Sequence, residues 1–329
     1  MTDTLPTPQA GDAAASNASA RDRAAPQAPA ADAASSQGLA AGPVASGQPT
    51  VHVVLPVHGR KAVTLQFVRC LLAQTYTQYR LLLVDDGSTD GTAGAVRALL
   101  PGCEVLTGDG QWWWAGSLHQ AYLHLAAQDA PADDLVLICN DDTCFEADFL
   151  ANAVAALRGK QNCMMLAQLD ERAQGGGIEV GVHIAWRGMR IEGVSDPARV
   201  NCFATRGLFQ RVDDFISLGG FHPRMLPHYF SDYEYTIRAY QRGRKLLTDP
   251  SVRLTFNSET TGTRVLKETT LRGHLKEVFS KRYVGNPWYK SMFILLACPP
   301  LHVPGNLYLA WKYFFIDMGR MLRQAPAGS

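Results

Sequence analysis

The sequence predicts an α/β protein: an open, mixed and mostly parallel sheet flanked by helices, with a helical extension at its carboxyl end. Three observations carry this expectation. Short apolar runs recur from Val51 onward, helix-patterned segments separate them, and carboxylates cluster directly after two of the runs. Continuous rather than alternating apolarity suits strands covered on both faces, as in a parallel sheet with helices on either side.

Residues 1–48 stand apart from everything after them. They are mostly Ala, Pro, Ser, Gln and Gly with no aromatic side chain, and Pro6, Pro8, Pro26, Pro29 and Pro43, with Pro49 just beyond, interrupt any helix that the alanines support. Such a segment buries too little apolar surface to offset its chain entropy, so a disordered spacer is expected. It has no apolar stretch of the signal-peptide kind. A folded domain is expected over 49–270, in two halves at 49–145 and 146–270, and a helical extension over 271–329.

Strands are expected at Val51–Leu55, Arg80–Val84, Glu104–Leu106 and Leu135–Cys139, with helices at about 61–73, 90–100 and 115–127 between them. Ser88-Thr89-Asp90 offers N-cap chemistry for the second helix, and Pro101-Gly102 marks its end. Beyond Asp142 the alternation loosens. Glu146–Leu157 reads as a helix, Met164–Gln168 and Glu179–Trp186 as strands around the Gln174–Gly177 loop, 228–242 as a helix and 246–256 as extended chain.

Composition removes several functional classes. The 329 residues carry 31 basic against 30 acidic side chains, a formal charge of +1, so neither a basic footprint for nucleic acid nor an acidic solvating tail is present. A charged ligand has to be met by a local site. Seven cysteines are scattered without a C-x-x-C pair, most of them in apolar runs, which suits small buried hydrophobes in a reducing, cytoplasmic compartment rather than a structural zinc site. No G-x-G-x-x-G follows the first strand, which excludes a dinucleotide-binding dehydrogenase.

The local sites are acidic. Asp85-Asp86-Gly87-Ser88-Thr89-Asp90 follows an apolar strand, where a carboxylate either accepts from a base or ribose or caps the next helix. Asn140-Asp141-Asp142-Thr143 ends another, and adjacent acids there are costly unless solvated or bound to a cation. Hard oxygens on a short loop suit Mg²⁺ or Mn²⁺ that also takes phosphate oxygens and water. A third cluster, His228–Tyr235, places Asp232 and Glu234 at the start of a helical pattern, as caps or as a general base facing a cleft. Trp112-Trp113-Trp114 lies in a Gly-flanked loop, and three consecutive indoles cannot all enter one core. At least one lines a pocket, where it stacks on a sugar or base, or meets a protein partner.

Taken together these motifs resemble glycosyltransferase family 2, enzymes of the GT-A fold that use nucleotide sugars. The matching residues are Leu55-Pro56-Val57, Val84–Thr92, Asn140–Thr143, Gly207-Leu208-Phe209, Leu218–Phe221 and Phe230–Ala239, in the family's order over about 51–260. The Trp-Trp-Ala-Gly stretch and the Asn-Asp-Asp-Thr form look most like the rhamnosyltransferase-like bacterial branch. The resemblance implies an inverting hexosyl transfer from a nucleotide-diphosphate donor, dTDP-rhamnose or a UDP-sugar, to a glycan or lipid-linked saccharide in cell-surface polysaccharide synthesis. It makes 49–270 a catalytic domain with a nucleotide-binding half at 49–145 and an acceptor half at 146–270. It assigns Pro56, Val57, Asp85, Asp86, Ser88, Trp114, Gly116, Asn140 and Asp141 to the nucleotide sugar, Asp142 to Mg²⁺ or Mn²⁺, and Asp232 to the catalytic base with Glu234 in support. Two positions depart from the family's pattern. Asn257 stands where a His is common, and Leu118-His119-Gln120 replaces the usual Asn-x-Gly.

Two other readings fit the same sheet. A sugar nucleotidyltransferase expects a Gly-rich G-x-G-T-R-type loop after the first strand, which His58-Gly59-Arg60-Lys61 does not supply. A silent scaffold or glycan-binding module predicts loss of the acids, yet Asp86, Asp142 and Asp232 are all present. In the extension, Leu307, Trp311, Phe314, Phe315, Met318 and Leu322 fall at helical spacing near Lys312, Arg320 and Arg323. That face either docks on the catalytic domain or lies peripherally on the inner face of the cytoplasmic membrane. The apolar run Met292–Val303 contains Pro299-Pro300 and is too short to span a bilayer.

Overall fold

The computed structural model describes residues 47–172, 176–256 and 270–324. Its first half follows the expected alternation: β1 (Val51–Val57), α1 (Lys61–Leu72), β2 (Tyr79–Asp85), α2 (Thr92–Leu99), β3 (Glu104–Thr107), α3 (Trp113–Ala126) and β4 (Leu135–Ile138). β1 is buried along its whole length, and its side chains alternate between two cores. Val51, Val53, Leu55 and Val57 face Phe67, Val68 and Leu71 of α1, while Val54 faces Ala115, Leu118 and Ala121 of α3. Both faces are covered, which is why the strand reads as an unbroken apolar run.

The second half adds β5 (Thr143–Cys144), α4 (Phe149–Leu157), β6 (Cys163–Asp170), β7 (Ile178–Glu179), β8 (Gly181–Ala185), β9 (Arg190–Val194), β10 (Leu208–Arg211), α5 (Val212–Leu218), α6 (Ser231–Gln241) and β11 (Lys245–Phe256). The sheet order is β3-β2-β1-β4-β10-β6-β11-β5, with β7 on β6, while β8 and β9 form a separate hairpin. Pairing is parallel through β3-β2-β1-β4 and between β6 and β11; β10 runs antiparallel to both of its neighbours. The sheet is therefore the expected open, mixed one, with its parallel block in the first half. The expected strand at Glu179–Trp186 divides at Val180, because β7 pairs with β6 while β8 turns away to pair with β9.

Order β2-β1-β4 means that the chain reverses direction across the sheet between β1 and β4. Loops after these strands diverge there and leave a crevice outside their carboxyl ends. Val57 pairs with Asp85 at one side of it, and β10 enters beside Ile138 at the other.

The expected N-cap at Ser88–Asp90 forms differently. α2 begins at Thr92 after Gly91 in the left-handed region, without a side-chain cap. Ser88 Oγ instead accepts from the Gly59 amide at 2.9 Å, and the Asp90 carboxylate accepts from Lys61 and Thr92 amides. Ser88 thus clasps the loop before α1, and Asp90 both holds that loop and satisfies the first amide of α2.

The extension consists of α7 (Leu271–Val278), α8 (Pro287–Ala297) and α9 (Val303–Gln324). Asn286 caps α8 through the Trp288 amide at 2.9 Å with Pro287 in the first turn. One side of the extension docks on the domain: Gln241 donates to Ala297 O at 2.8 Å, and Asn306 to Trp186 O at 2.7 Å. No helix among the described residues is long and apolar enough to cross a membrane. Cys139, Cys163, Cys202 and Cys298 are buried as expected; Cys70 of α1 and Cys144 of β5, half-buried, touch at 2.6 Å between sulfurs.

Candidate active site

A cleft of about 780 Å³ opens where the strand order reverses, and its walls gather residues from the ends of β1, β2 and β4, the tryptophan loop, the stretch before β10, the start of α6 and the segment before α8. Of the residues marked out in the sequence, Pro56, Val57, Asp86, Trp114, Asn140, Asp141, Asp142 and Asp232 line it. Asp85, Ser88, Gly116 and Glu234 do not. Asp85 is buried and accepts from the Ser88 amide at 2.8 Å, which shapes the turn. Gly116 lies inside α3, where an added Cβ would stand 3.1 Å from Trp112 Cβ. Glu234 accepts from Arg238 at 2.8 Å, and Arg238 in turn donates to the Leu218 and Gly220 carbonyls. Glu234 thus anchors the turn after α5 and reaches the cleft only through the packing of α6.

Asp86 illustrates how the backbone recruits an acid. Its carboxylate accepts from the amides of Gly110 at 2.8 Å, Trp112 at 3.2 Å and Trp113 at 2.8 Å. Charge-assisted bonds of this kind are the strong ones, and three of them pin the tryptophan loop against the end of β2. The approach is close enough that a Cβ on Gly87, whose φ is +75°, would sit 2.7 Å from the Gly110 nitrogen. Only glycine fits there.

The pinned loop sets the three indoles. Trp112 packs on the core beneath α3, and Trp113 and Trp114 line the cleft. Trp113 adopts φ 58°, unfavourable for a bulky side chain, and the hydrogen bond that its backbone N–H donates to Asp86 holds it there. Its ring meets His228 edge-on at 5.8 Å and lies under Lys281 and Arg282, both about 5.5 Å away or nearer. His119, at the position that departs from the family pattern, stacks on Tyr122 instead of entering the cleft. A Cβ on Gly220 would come within 2.3 Å of that imidazole.

The loop after β4 carries the second acidic cluster. Asp141 and Asp142 are only 5% and 6% exposed, and Arg60 bridges both, at 3.1 Å to Asp141 and 3.3 Å to Asp142. Thr64 of α1 donates to Asp141 at 3.0 Å. Burial pushes the Asp141 carboxyl up to about 6, against the pull of Arg60 and Thr64. Among the described residues no three His, Cys, Asp or Glu side chains converge as a ready-made metal cage. Two buried carboxylates beside an amide on one short loop nonetheless fit Mg²⁺ or Mn²⁺, which commonly take one or two carboxylates and complete their shell with phosphate oxygens and water. Asn257 lies outside the described residues.

Across the cleft, Phe230 takes φ 66° and its carbonyl starts α6, which brings Asp232 into the first helical turn. Asp232 Oδ1 accepts the Tyr233 amide at 2.9 Å. Burial raises its carboxyl to about 6, with that amide and Arg206 opposing. A carboxylate poised there is a competent proton acceptor near neutral pH.

Three cleft residues were not marked out in the sequence, Arg60, Arg206 and Arg282, while Trp113 and His228 belong to the tryptophan loop and the third cluster that were. Arg206 Nε, Trp113 Nε1 and His228 Nδ1 are buried without a hydrogen-bond partner among the described residues, which leaves them to a ligand. Burial first, and Arg282 second, hold His228 below the usual imidazole range. Arg60 had a signal, its place just after the end of β1. Arg282 had none, because it arrives from the extension.

Residues 52–213 match the family model described as glycosyl transferase family 2. They form a family 2 glycosyltransferase domain. No curated protein sequence matches the chain. Among solved structures, this glycosyltransferase is similar to a mannosyltransferase from Pyrobaculum calidifontis in complex with GDP-Man and Mn²⁺, at TM-score 0.52 and 19% identity over 86% of this chain and 77% of that one. GalNAc-T7 with UDP, GalNAc and Mn²⁺ gives TM-score 0.52 and 15% identity over 84% of this chain and 58% of that chain. S. aureus TarS gives 0.51 and 16% over 82% and 54%. The glycosyltransferase thus spans little more than half the length of the last two. At these identities the likeness is one of fold.

Proposed function

We propose that this glycosyltransferase inverts the anomeric centre as it moves a sugar from a nucleotide-diphosphate donor to a hydroxyl of a glycan or lipid-linked saccharide, in cell-surface polysaccharide synthesis. The observation that carries the reading is a single cleft with Asp141 and Asp142 on one wall and a proton-accepting Asp232 on the other.

In this reading Pro56, Val57, Asp86 and the tryptophan loop form the nucleoside end of the cleft, and Asn140, Asp141 and Asp142 the diphosphate end. Asp142, with Asp141 and Asn140 beside it, would hold Mg²⁺ or Mn²⁺. A cation bound there supplies positive charge to the leaving diphosphate, so no protonated acid is needed. Arg60 balances the two buried carboxylates.

Asp232 acts on the acceptor. It accepts the proton of the acceptor hydroxyl as that oxygen bonds to the anomeric carbon and the bond from that carbon to the donor phosphate oxygen breaks. One displacement inverts the centre, so the second carboxylate of a retaining glycosidase has no counterpart here. Trp113 offers an indole face for a sugar ring, and the unpartnered donors of Arg206 and Trp113 suit hydroxyl or phosphate oxygens. dTDP-rhamnose is the first donor to test, followed by UDP-sugars. Thermal-shift screening of nucleoside diphosphates with and without Mn²⁺ tests the reading. A Mn²⁺-dependent rise with one nucleotide supports it, and no rise with any nucleotide refutes it.

A further inference from the structure

α9 is a two-faced helix, and among the described residues one face is occupied while the other is open. Trp311 Nε1 donates to Ser291 Oγ of α8 at 3.1 Å, and Asp317 pairs with His274 of α7 at 2.8 Å. These contacts leave an open apolar groove of about 730 Å³ between α8 and α9, lined by Trp288, Leu307, Tyr308, Lys312, Phe315 and Ile316. Its ridges are solvent-facing: Tyr308 and Phe315 are each 65% exposed, and Leu301, on the turn before α9, is 86% exposed. Contiguous exposed apolar surface of this kind marks a contact site.

Charge identifies the occupant. Residues 271–320 carry Arg272, Lys276, Lys281, Arg282, Lys290, Lys312 and Arg320 against Glu277 and Asp317, an excess of five positive charges in a chain whose total is only +1. A second copy on this groove would bring two such segments together, like charge on like. An acidic lipid surface complements it. The side chains are also those that favour the boundary between water and hydrocarbon: Trp and Tyr with a polar edge, Leu and Phe to insert, and a Lys whose stem lies along the groove. Lys312 stands within 5.8 Å of the Tyr308 ring centre, at the rim rather than in the core.

We propose that the α8–α9 groove and the Leu301 turn dock on an anionic lipid bilayer, so that the protein is peripheral and lies on the membrane by this face. The inference goes beyond the catalytic reading, and no residue of the groove lines the cleft, so either can fail alone. It has a consequence for that reading. Lys281 and Arg282 connect the lipid-facing segment to the cleft, where both cover Trp113, so the cleft mouth would open close to the bilayer.

The test is flotation of the full chain with two vesicle types, phosphatidylcholine alone and phosphatidylcholine with about one-third phosphatidylglycerol. Co-flotation with the anionic vesicles only, weakened by salt, is the expected result. Lys312→Glu should weaken it at least about fivefold. Leu301→Asp with Phe315→Asp should abolish it while leaving the thermal midpoint and Mn²⁺-dependent nucleotide binding unchanged, since both side chains already face solvent. No flotation with anionic vesicles overturns the proposal, as does flotation that the double variant retains. Light scattering that shows a dimer split to monomer by the same variant also overturns it, because the groove then belongs to a second copy.

Discussion

Asp232→Asn separates the chemistry of the cleft from its architecture. Burial raises the Asp232 carboxyl from 3.8 to about 6, so at pH 7 about nine molecules in ten carry the ionised base and at pH 5 about one in ten. The wild-type kcat/KM should therefore fall about tenfold between pH 7 and pH 5 through this group alone. Replacing the carboxylate by an amide removes the proton acceptor, with an expected loss of about 10²–10⁴ in kcat and little change in nucleotide binding. Stability should move the other way. The folded state holds this proton more tightly than the unfolded chain does, so ionisation weakens folding as pH rises from about 4 through about 6. Two pKa units set a ceiling of about 3 kcal/mol, and solvent access to the half-buried side chain lowers it. The variant should thus melt no lower than wild type at pH 8, and any advantage should shrink toward pH 4. Turnover of the donor chosen by thermal shift, measured across pH beside melting curves, gives both readouts. Activity within threefold of wild type, or a large loss of stability at pH 8, would refute the assignment.

Three further outcomes follow from the same geometry. Asp142→Ala should remove the Mn²⁺-dependent part of nucleotide binding, seen by calorimetry with and without the ion. Arg60→Ala leaves Asp141 and Asp142 buried without their shared cation and should cost about 1–3 kcal/mol in urea unfolding at pH 8; the loss should shrink at pH 5, where Asp141 is protonated in the folded state. Asp86→Ala strands three amides in the tryptophan loop and should cost about 2–4 kcal/mol, read as a lower thermal midpoint together with a changed environment of Trp113 in near-ultraviolet dichroism.

The sequence by itself determined the alternation of β1 to β4 with α1 to α3, because each strand's apolar run and each helix's periodicity are local properties of the chain. It also determined that acids stand at the carboxyl ends of β2 and β4, and the motif order that marks a family 2 glycosyltransferase. Only the tertiary structure decided what those acids do. Asp86 and Glu234 look as available in the sequence as Asp141 and Asp232. Yet backbone amides more than twenty residues on hold Asp86, and Arg238 holds Glu234, and hydrogen bonds made through folding leave no mark in composition. Arg60 reaches Asp141 across 81 positions of chain, and Arg282 reaches the cleft from an extension whose docking depends on packing against β8 and α6. Residue types and local period decide which elements form; distance along the chain hides which side chains then meet.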